Sequence, residues 1–226
     1  MWIWKLRVLA LVCGVAFSPT RLLGEDLERG AYLFGVCAAC HGAHGEGGGA
    51  GVYPRIAGFP SAYIADQLRA FKKWERLNVA MVTFASDREL PESAILELST
   101  YIASLTLVTR PVAPVGATGA ALPRDSDLPG VDIPRAPGDV EVGSATYTLA
   151  CARCHGPRGW GDATVPQLAG QHTRYLATQI EQYVASKRTH PETELLFSRL
   201  SDSKIQDILA YLSTLEDPGD AHARNR

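Results

Sequence analysis

Two cysteine motifs carry the clearest chemistry in the chain. Residues 37–41 read CAACH and residues 151–155 read CARCH. Both follow the pattern C-x-x-C-H, in which two thiols form thioether bonds to the vinyl groups of a haem and the adjoining histidine lies beneath the iron as its proximal ligand. A single pentapeptide of this pattern can arise by chance. Two in one chain predict two covalently bound haem c groups. The expected haem-binding residues are Cys37, Cys40 and His41 for haem 1, and Cys151, Cys154 and His155 for haem 2.

Residues 1–24 are expected to be an export signal rather than part of the fold. Lys5 and Arg7 give a positively charged start, and residues 8–17 form an unbroken apolar or small stretch. This stretch is shorter than the about 20 residues that a membrane-spanning helix needs. Cleavage after residue 18 or after Gly24 stays open, as does an uncleaved anchor. The mature chain is therefore expected outside the cytoplasm.

Composition and charge argue against several other function classes. The formal net charge is −2, without the basic excess that nucleic-acid binding requires. Four cysteines remain after export, and an even number in an exported protein usually indicates disulfides. All four lie in the haem motifs, so the spacing favours haem attachment. We find no nucleophile–base pair, phosphate-binding loop or zinc motif in the sequence.

The two motifs lie in two similar halves of the chain. Segments that align are 41–47 with 155–161, 53–71 with 165–183, and 94–105 with 204–215. Tyr63 pairs with Tyr175, Gln67 with Gln179, and Arg76 with Arg188. The predicted organisation is a first half at 25–107, a Pro/Gly-rich linker at 108–137, a second half at 138–216 and a flexible tail at 217–226. Each half is small for an independent core, so a haem at its centre is expected to complete it.

Apolar residues at helical spacing predict an all-α fold with no strand. Ser61 is the expected N-cap of the helix that follows the first motif. The predicted helices are 27–37, one beginning at 61, 91–105, 173–186 and 202–215. Their apolar faces are expected to pack on the haems and on one another.

The chain resembles a dihaem class I c-type cytochrome of the cytochrome c4 type over nearly all of residues 27–215. The resemblance rests on the doubled CxxCH motif, on the P-x-[IL]-A-G segment after each, and on the following Tyr/Gln/aromatic helix. It implies two tandem cytochrome-c-like domains in the periplasm of a Gram-negative bacterium. It also implies that the carbonyl groups of Pro54 and Pro166 accept the ring N–H of the proximal histidines, and that a methionine binds each iron on the other side.

Only the first half supplies such a methionine. Met81, five residues after Arg76, is the expected sixth ligand of haem 1, and the same register in the second half places Thr193. The sequence has no methionine after Met81, so haem 2 cannot be ligated by histidine and methionine. Since imidazole in place of a thioether lowers the haem potential, haem 2 is expected to have the lower potential.

The sixth ligand of haem 2 stays open between three outcomes. His190 in the loop after Arg188 is favoured, because imidazole suits iron well. The second outcome is an iron that is five-coordinate or weakly held by water, Glu192 or Glu194. A ligand from elsewhere is the third outcome, with His172 and His222 as candidates, although His172 is expected to be exposed.

The favoured function is an electron carrier rather than an enzyme. The resemblance implies redox protein partners, namely a quinol-oxidising complex, a terminal oxidase or a dehydrogenase, with peripheral membrane association possible. Apolar residues around the exposed haem edges are the expected docking face, since charge forms no block in the sequence. The alternatives are a catalytic, gas-binding or anion-binding protein with an open haem 2, and the cytochrome subunit of a dehydrogenase.

Overall fold

The protein is built almost wholly from α-helices, as predicted. The computed structural model describes residues 19–112, 129–191, 194–197 and 199–217. The helices of the first half are α1 (Pro19–His41), α2 (Ser61–Lys72), α3 (Val79–Phe84) and α4 (Glu92–Ser104), with a 3₁₀ turn at Gly49–Gly51. Those of the second half are α5 (Val140–Ala150), α6 (Ala152–His155), α7 (Thr173–Val184), α8 (Glu194–Phe197) and α9 (Asp202–Leu212). Within the described ranges, no helix has the length and hydropathy that crossing a membrane requires.

Several helix ends differ from the predicted ones. α1 continues through the first cysteine motif to His41, beyond the predicted end at residue 37. Ser61 is the first residue of α2, and Pro60 occupies the N-cap position without a side-chain hydrogen bond, so the predicted Ser61 cap is wrong. Proline fits this place because the first amide groups of a helix have no acceptor within the helix.

Each half is organised by a close crossing of its first long helix with its last. α1 crosses α4 at Gly30, where an added Cβ atom would lie 2.5 Å from the carbonyl oxygen of Glu97. α5 crosses α9 at Gly143, where an added Cβ atom would lie 1.9 Å from the carbonyl oxygen of Asp207. The backbone of the facing helix thus occupies the space of a side chain, so only glycine fits at the two crossings.

Apolar side chains fill the space beside each crossing. The buried residues of the first core include Phe34, Leu68, Ile95, Leu98 and Ile102. The corresponding set in the second half is Tyr147, Leu176, Ile208 and Leu212. Cys37 packs against the first core and Cys151 against the second. The first thiol of each motif therefore lies next to the centre of its half.

The ends of the predicted linker form a two-stranded parallel sheet, which the sequence did not predict. Strand β1 (Val108–Val112) pairs with β2 (Gly130–Pro134), with Val108 opposite Gly130. Thr109 and Ile133 are buried. Prolines in both strands interrupt the apolar alternation by which strands are recognised in a sequence. The pairing of the two strands also depends on contacts between distant residues, which the local pattern does not show. Residues 113–128 lie outside the described ranges.

A buried ion pair joins the two halves. Arg55 Nη2 donates to Asp217 Oδ2, and the side chains are only 3% and 4% exposed. The amide of Asp217 donates to Thr109 Oγ1 at 2.9 Å. Asp217, the first residue of the predicted flexible tail, is therefore held in place, and the prediction is wrong at this residue. Its carboxylate balances the guanidinium of Arg55, which would otherwise be buried without a counter-charge. Residues 218–226 lie outside the described ranges.

The helix crossing gives a stability prediction. Gly30→Ala is expected to lower the free energy of unfolding by about 1–3 kcal/mol, because the new methyl group forces α1 and α4 apart. Gly35→Ala in the same helix is the matched control, since a Cβ atom there meets nothing within 4 Å. The control should be neutral or stabilising by up to about 1 kcal/mol. Denaturant titration followed by circular dichroism measures both changes, and equal stabilities would contradict the prediction.

Candidate functional site

The histidine of each motif is held by a proline carbonyl farther along the chain. His41 Nδ1 donates to the carbonyl oxygen of Pro54 at 2.9 Å, and His155 Nδ1 donates to that of Pro166 at 2.9 Å. A carbonyl oxygen only accepts, so the bond fixes Nδ1 as the protonated nitrogen. Nε2 then carries the lone pair that binds a metal.

Glycine-rich turns bring the prolines back to the histidines. Gly47 N donates to the carbonyl of His41 at 2.7 Å, and Gly161 N donates to that of His155 at 2.9 Å. The φ angles of Gly47 and Gly161 are 88° and 66°. Glycine adopts such angles without the steric cost that a Cβ atom brings. The repeated H-G-x-x-G-x-G segment is therefore a local device that orients each histidine.

Burial keeps both histidines in the form that binds iron. His41 and His155 are buried, and the loss of hydration lowers the pKa of each ring, an effect that the proline carbonyl partly offsets. Neutral imidazole is the metal-binding form. Burial also raises the pKa of the Cys37 and Cys151 thiols to about 11. No disulfide joins the described cysteines.

A cavity of about 370 Å³ lies beside the first motif. Cys37, Cys40, His41 and Met81 all line it. This volume falls within the range typical of cofactor sites. Both thiols that would attach a haem and both candidate iron ligands thus border one space, which fits haem 1.

Met81 is presented by the short helix α3. Asn78 caps this helix, with its side-chain oxygen accepting the amide of Met81 at 3.1 Å. The Met81 side chain packs against a cluster of Phe71, Val82 and Ala85. A cap and an apolar cluster therefore fix the position of the thioether next to the cavity.

In the second half, His190 lies across from the proximal histidine. The ring centroids of His155 and His190 are 6.1 Å apart, with an angle of 47° between the planes. Two imidazoles that bind one first-row metal from opposite sides, with metal–nitrogen bonds of about 2 Å, place their ring centres roughly 6 Å apart. The separation therefore has the size that one iron between the two rings requires.

Aromatic side chains hold His190 in this place. Its ring contacts Tyr183 edge-on at a centroid distance of 5.0 Å and Phe197 at 5.3 Å. Tyr183 and Phe197 stack on each other at 5.0 Å. The ring Nδ1 donates to the carbonyl of Pro191 at 3.1 Å. Neither aromatic residue was predicted as part of the site, because their approach depends on the folded loop.

The other candidate ligands are placed differently or lie outside the described residues. His172 is not exposed as predicted, since its Nε2 donates to the carbonyl of Glu46 in the first half at 2.9 Å. Its ring therefore serves the contact between the halves rather than haem 2. Glu192, Thr193, His222 and the side chain of Glu194 are outside the described part of the chain.

Between the halves lies a hydrogen-bonded group of six side chains, which we term the interface cluster. Its members are Tyr63, Gln67 and Arg76 from the first half and their repeat partners Tyr175, Gln179 and Arg188 from the second. The sequence repeat predicts that these residues correspond between the halves. It does not predict that they contact one another, because a repeat does not determine which surfaces of the two halves pack together. Five of these six residues line the cavity beside the first motif, Arg188 being the exception.

The interface cluster holds two cationic groups without a carboxylate partner from the described residues. Arg76 is buried, and Arg188 is half-buried. Glutamine and tyrosine oxygens accept their N–H groups, at distances of 2.6 to 3.1 Å, but they carry no charge to balance them. The carboxylates of haem propionate groups would supply that charge, so the residues of the cluster fit haem as the bound group.

Comparison with known proteins also indicates two haem-binding domains. Residues 27–106 and 140–216 match the family model for cytochrome c. The chain is 35% identical to a thiosulfate dehydrogenase electron acceptor from Thiomonas intermedia, over 78% of this chain and 77% of that protein. It is 33% identical to cytochrome c4 from Thiocapsa roseopersicina, over 85% of this chain and 94% of that protein.

A solved structure of thiosulfate dehydrogenase (TsdBA) from Marichromatium purpuratum is also similar. It superposes on 84% of this chain with a TM-score of 0.63 and 28% identity. The match covers only 40% of that longer protein. The similarity therefore concerns one portion of it.

Met81 gives a prediction specific to the first site. Met81→Ala is expected to abolish the weak red absorption band of an iron–thioether bond and to lower the potential of one haem only, because thioether ligation raises the potential. Val79→Ala is the control, since Val79 lies in the same helix, is 89% exposed and does not line the cavity. Absorption spectra and a redox titration measure the change. A red band that survives in Met81→Ala would contradict the assignment.

Proposed function

Because the chain belongs to the cytochrome c family, with a haem c bound covalently in each of two tandem domains, we propose that it is a periplasmic carrier of single electrons between redox proteins. The export signal expected at residues 1–24 supports the location. The observation that carries the proposal is that each proximal histidine has a candidate protein ligand for the opposite side of its iron. Protein side chains on both sides of each iron would leave no open position for a substrate, which suits electron transfer.

In this proposal the residues of the chain have three tasks. The haems supply reversible one-electron oxidation and reduction at iron. His41 and Met81 would hold the first iron, and His155 and His190 would hold the second. The proline carbonyls orient the proximal rings, and the aromatic side chains around His190 keep the distal ring in place. Ligands that stay bound in both oxidation states keep the structural change during electron transfer small.

We propose that the electron donor is a dehydrogenase that oxidises a sulfur oxyanion such as thiosulfate. The Thiomonas relative is named as the electron acceptor of thiosulfate dehydrogenase, and the match with it extends over more than three quarters of both chains. The similarity to part of the TsdBA protein supports the same class of donor. The chain itself is assigned the transfer of electrons, with the oxidation of the sulfur compound left to the partner.

The ligand assignment for haem 2 has a direct test. His190→Ala is expected to convert haem 2 from a low-spin to a high-spin iron that binds carbon monoxide when reduced and cyanide when oxidised. The exposed His44 provides the control variant His44→Ala, which should leave both haems unchanged. Absorption and electron paramagnetic resonance spectra measure the spin states. A wild-type protein in which haem 2 already binds these ligands rapidly would favour the catalytic or gas-binding alternative.

An apolar rim around the first cavity is the proposed docking surface for the donor. The exposed large apolar residues that line the cavity are Val36, Val52, Tyr53, Leu77 and Phe84. The repeat partners of Val36 and Leu77 are Ala150 and Thr189, so the corresponding surface of the second half is less apolar. A small apolar patch suits the weak, short-lived contacts of redox proteins. Electrons are thus proposed to enter at haem 1, the haem of higher expected potential, so that this step does not depend on transfer to haem 2.

The rim leads to a kinetic prediction. Leu77→Ser is expected to slow the second-order reduction of the protein by its donor about fivefold to tenfold, since it removes roughly 1–1.5 kcal/mol of apolar burial from a contact. Leu96→Ser is the matched control, because Leu96 is 65% exposed, Leu77 is 60% exposed, and Leu96 does not line the cavity. Stopped-flow mixing with reduced thiosulfate dehydrogenase gives the rates. Equal rates for the two variants would place docking elsewhere.

A further inference from the structure

The interface cluster connects the first half to the distal side of haem 2. Tyr63 OH accepts a hydrogen bond from Arg188 Nη2 at 3.1 Å. The guanidinium carbon of Arg188 lies 4.8 Å from the ring centre of Tyr183, which contacts the ring of His190 edge-on at 5.0 Å. Arg188 is also only two residues before His190 in the same loop. A side chain of the first half is therefore linked to His190 through two intermediate side chains.

The reverse connection runs from the second half to the distal side of haem 1. Tyr175 OH accepts a hydrogen bond from Arg76 Nη2 at 2.8 Å. The guanidinium carbon of Arg76 lies 4.6 Å from the ring centre of Phe71, and the side chain of Met81 packs in the cluster that contains Phe71. Tyrosine, arginine and aromatic ring thus recur in the same order although the final ligands differ.

We propose that Tyr63 and Tyr175 are positioning residues, each of which stabilises the bound state of the sixth ligand in the opposite half. The assignment for Tyr63 rests on the proposed role of His190. A tyrosine oxygen restrains an arginine, the arginine plane restrains the aromatic ring beneath it, and that ring limits the positions open to the ligand. Contacts of this kind transmit coupling because packed side chains change position together.

The tyrosines separate the two connections more cleanly than the glutamines. Gln67 Oε1 accepts from Arg76 at 2.7 Å and from Arg188 at 2.9 Å. Gln179 Oε1 likewise accepts from Arg76 at 2.8 Å and from Arg188 at 2.6 Å. Each glutamine therefore serves both arginines, whereas each tyrosine oxygen accepts from one. Replacing a tyrosine by phenylalanine removes one connection and keeps the ring.

The experiment compares Tyr63→Phe with Tyr175→Phe in the full dihaem protein. The Tyr63 ring keeps its edge contact with Phe59, at a centroid distance of 5.7 Å, so the variant is expected to fold. Haem 1 is followed by its red iron–thioether band and haem 2 by the rate at which cyanide replaces its sixth ligand. Reduction potentials of both haems are measured in parallel.

Tyr63→Phe is expected to accelerate cyanide binding at haem 2 by at least about fivefold, the lower end of typical coupling between two sites, and to leave the haem 1 band unchanged. Tyr175→Phe is expected to weaken the haem 1 band and leave the haem 2 rate unchanged. Both tyrosines line the first cavity. A purely local role therefore predicts that both variants alter haem 1, and that result would overturn the proposal.

Two further variants complete the test. Arg188→Lys keeps the charge but not the planar fork, and Tyr63→Phe should add little to its effect on haem 2 if Tyr63 acts through Arg188. Additive effects would overturn that connection. His190→Ala distinguishes the two levels of failure. If its haem 2 spectrum equals that of the wild type, the ligand assignment and the role of Tyr63 fail together. If it changes while Tyr63→Phe has no effect, only the positioning role fails.

Discussion

Two guanidinium groups between the halves set the constraint on which the arrangement depends. Arg76 and Arg188 share the carboxamide oxygens of Gln67 and Gln179, so two like charges are held close together by neutral acceptors. Burying unbalanced charge is costly, and no described carboxylate pairs with either group. The propionate carboxylates of bound haems would supply the balancing charge. Docking of the two halves and occupation of their sites are in this way mutually stabilising.

The balance is achieved differently at the other contact between the halves. Arg55 is matched by Asp217 of the same chain, and Gln167, the repeat partner of Arg55, also donates to that carboxylate, at 3.1 Å. At this repeat position the first half has the cation Arg55 and the second half has the neutral amide Gln167. A single carboxylate, that of Asp217, therefore accepts hydrogen bonds from both. This contact is asymmetric and includes its own carboxylate, whereas the interface cluster is symmetric and has no carboxylate from the described residues.

Local patterns explain which features the sequence revealed. The CxxCH motifs, the proline positions and most helices depend on residues within one or two turns, so spacing alone predicts them. Sheet pairing of β1 with β2, burial of Asp217 and the contact of His172 with Glu46 depend on residues far apart in the chain. His190 falls between these cases. The sequence alone places His190 two residues after Arg188, but the approach of His190 to His155 depends on Tyr183 and Phe197.

The same framework then explains how one repeat supports two unlike irons. Both halves orient the proximal histidine by the same carbonyl bond and hold the distal loop through the same arginine, so the distal side chain is free to change without altering the rest. Exchange of thioether for imidazole acts within a range of roughly 0.8 V that axial ligands span in haem proteins. A cation beside an iron favours its reduced, less positive state, and the repeat partners Arg76 and Arg188 place one such cation in each half. The two cations therefore do not separate the potentials, and the difference between thioether and imidazole decides their order. With His190 as the proposed ligand, a lower potential is expected at haem 2, where Thr193 takes the register of Met81 and His190 lies three residues earlier.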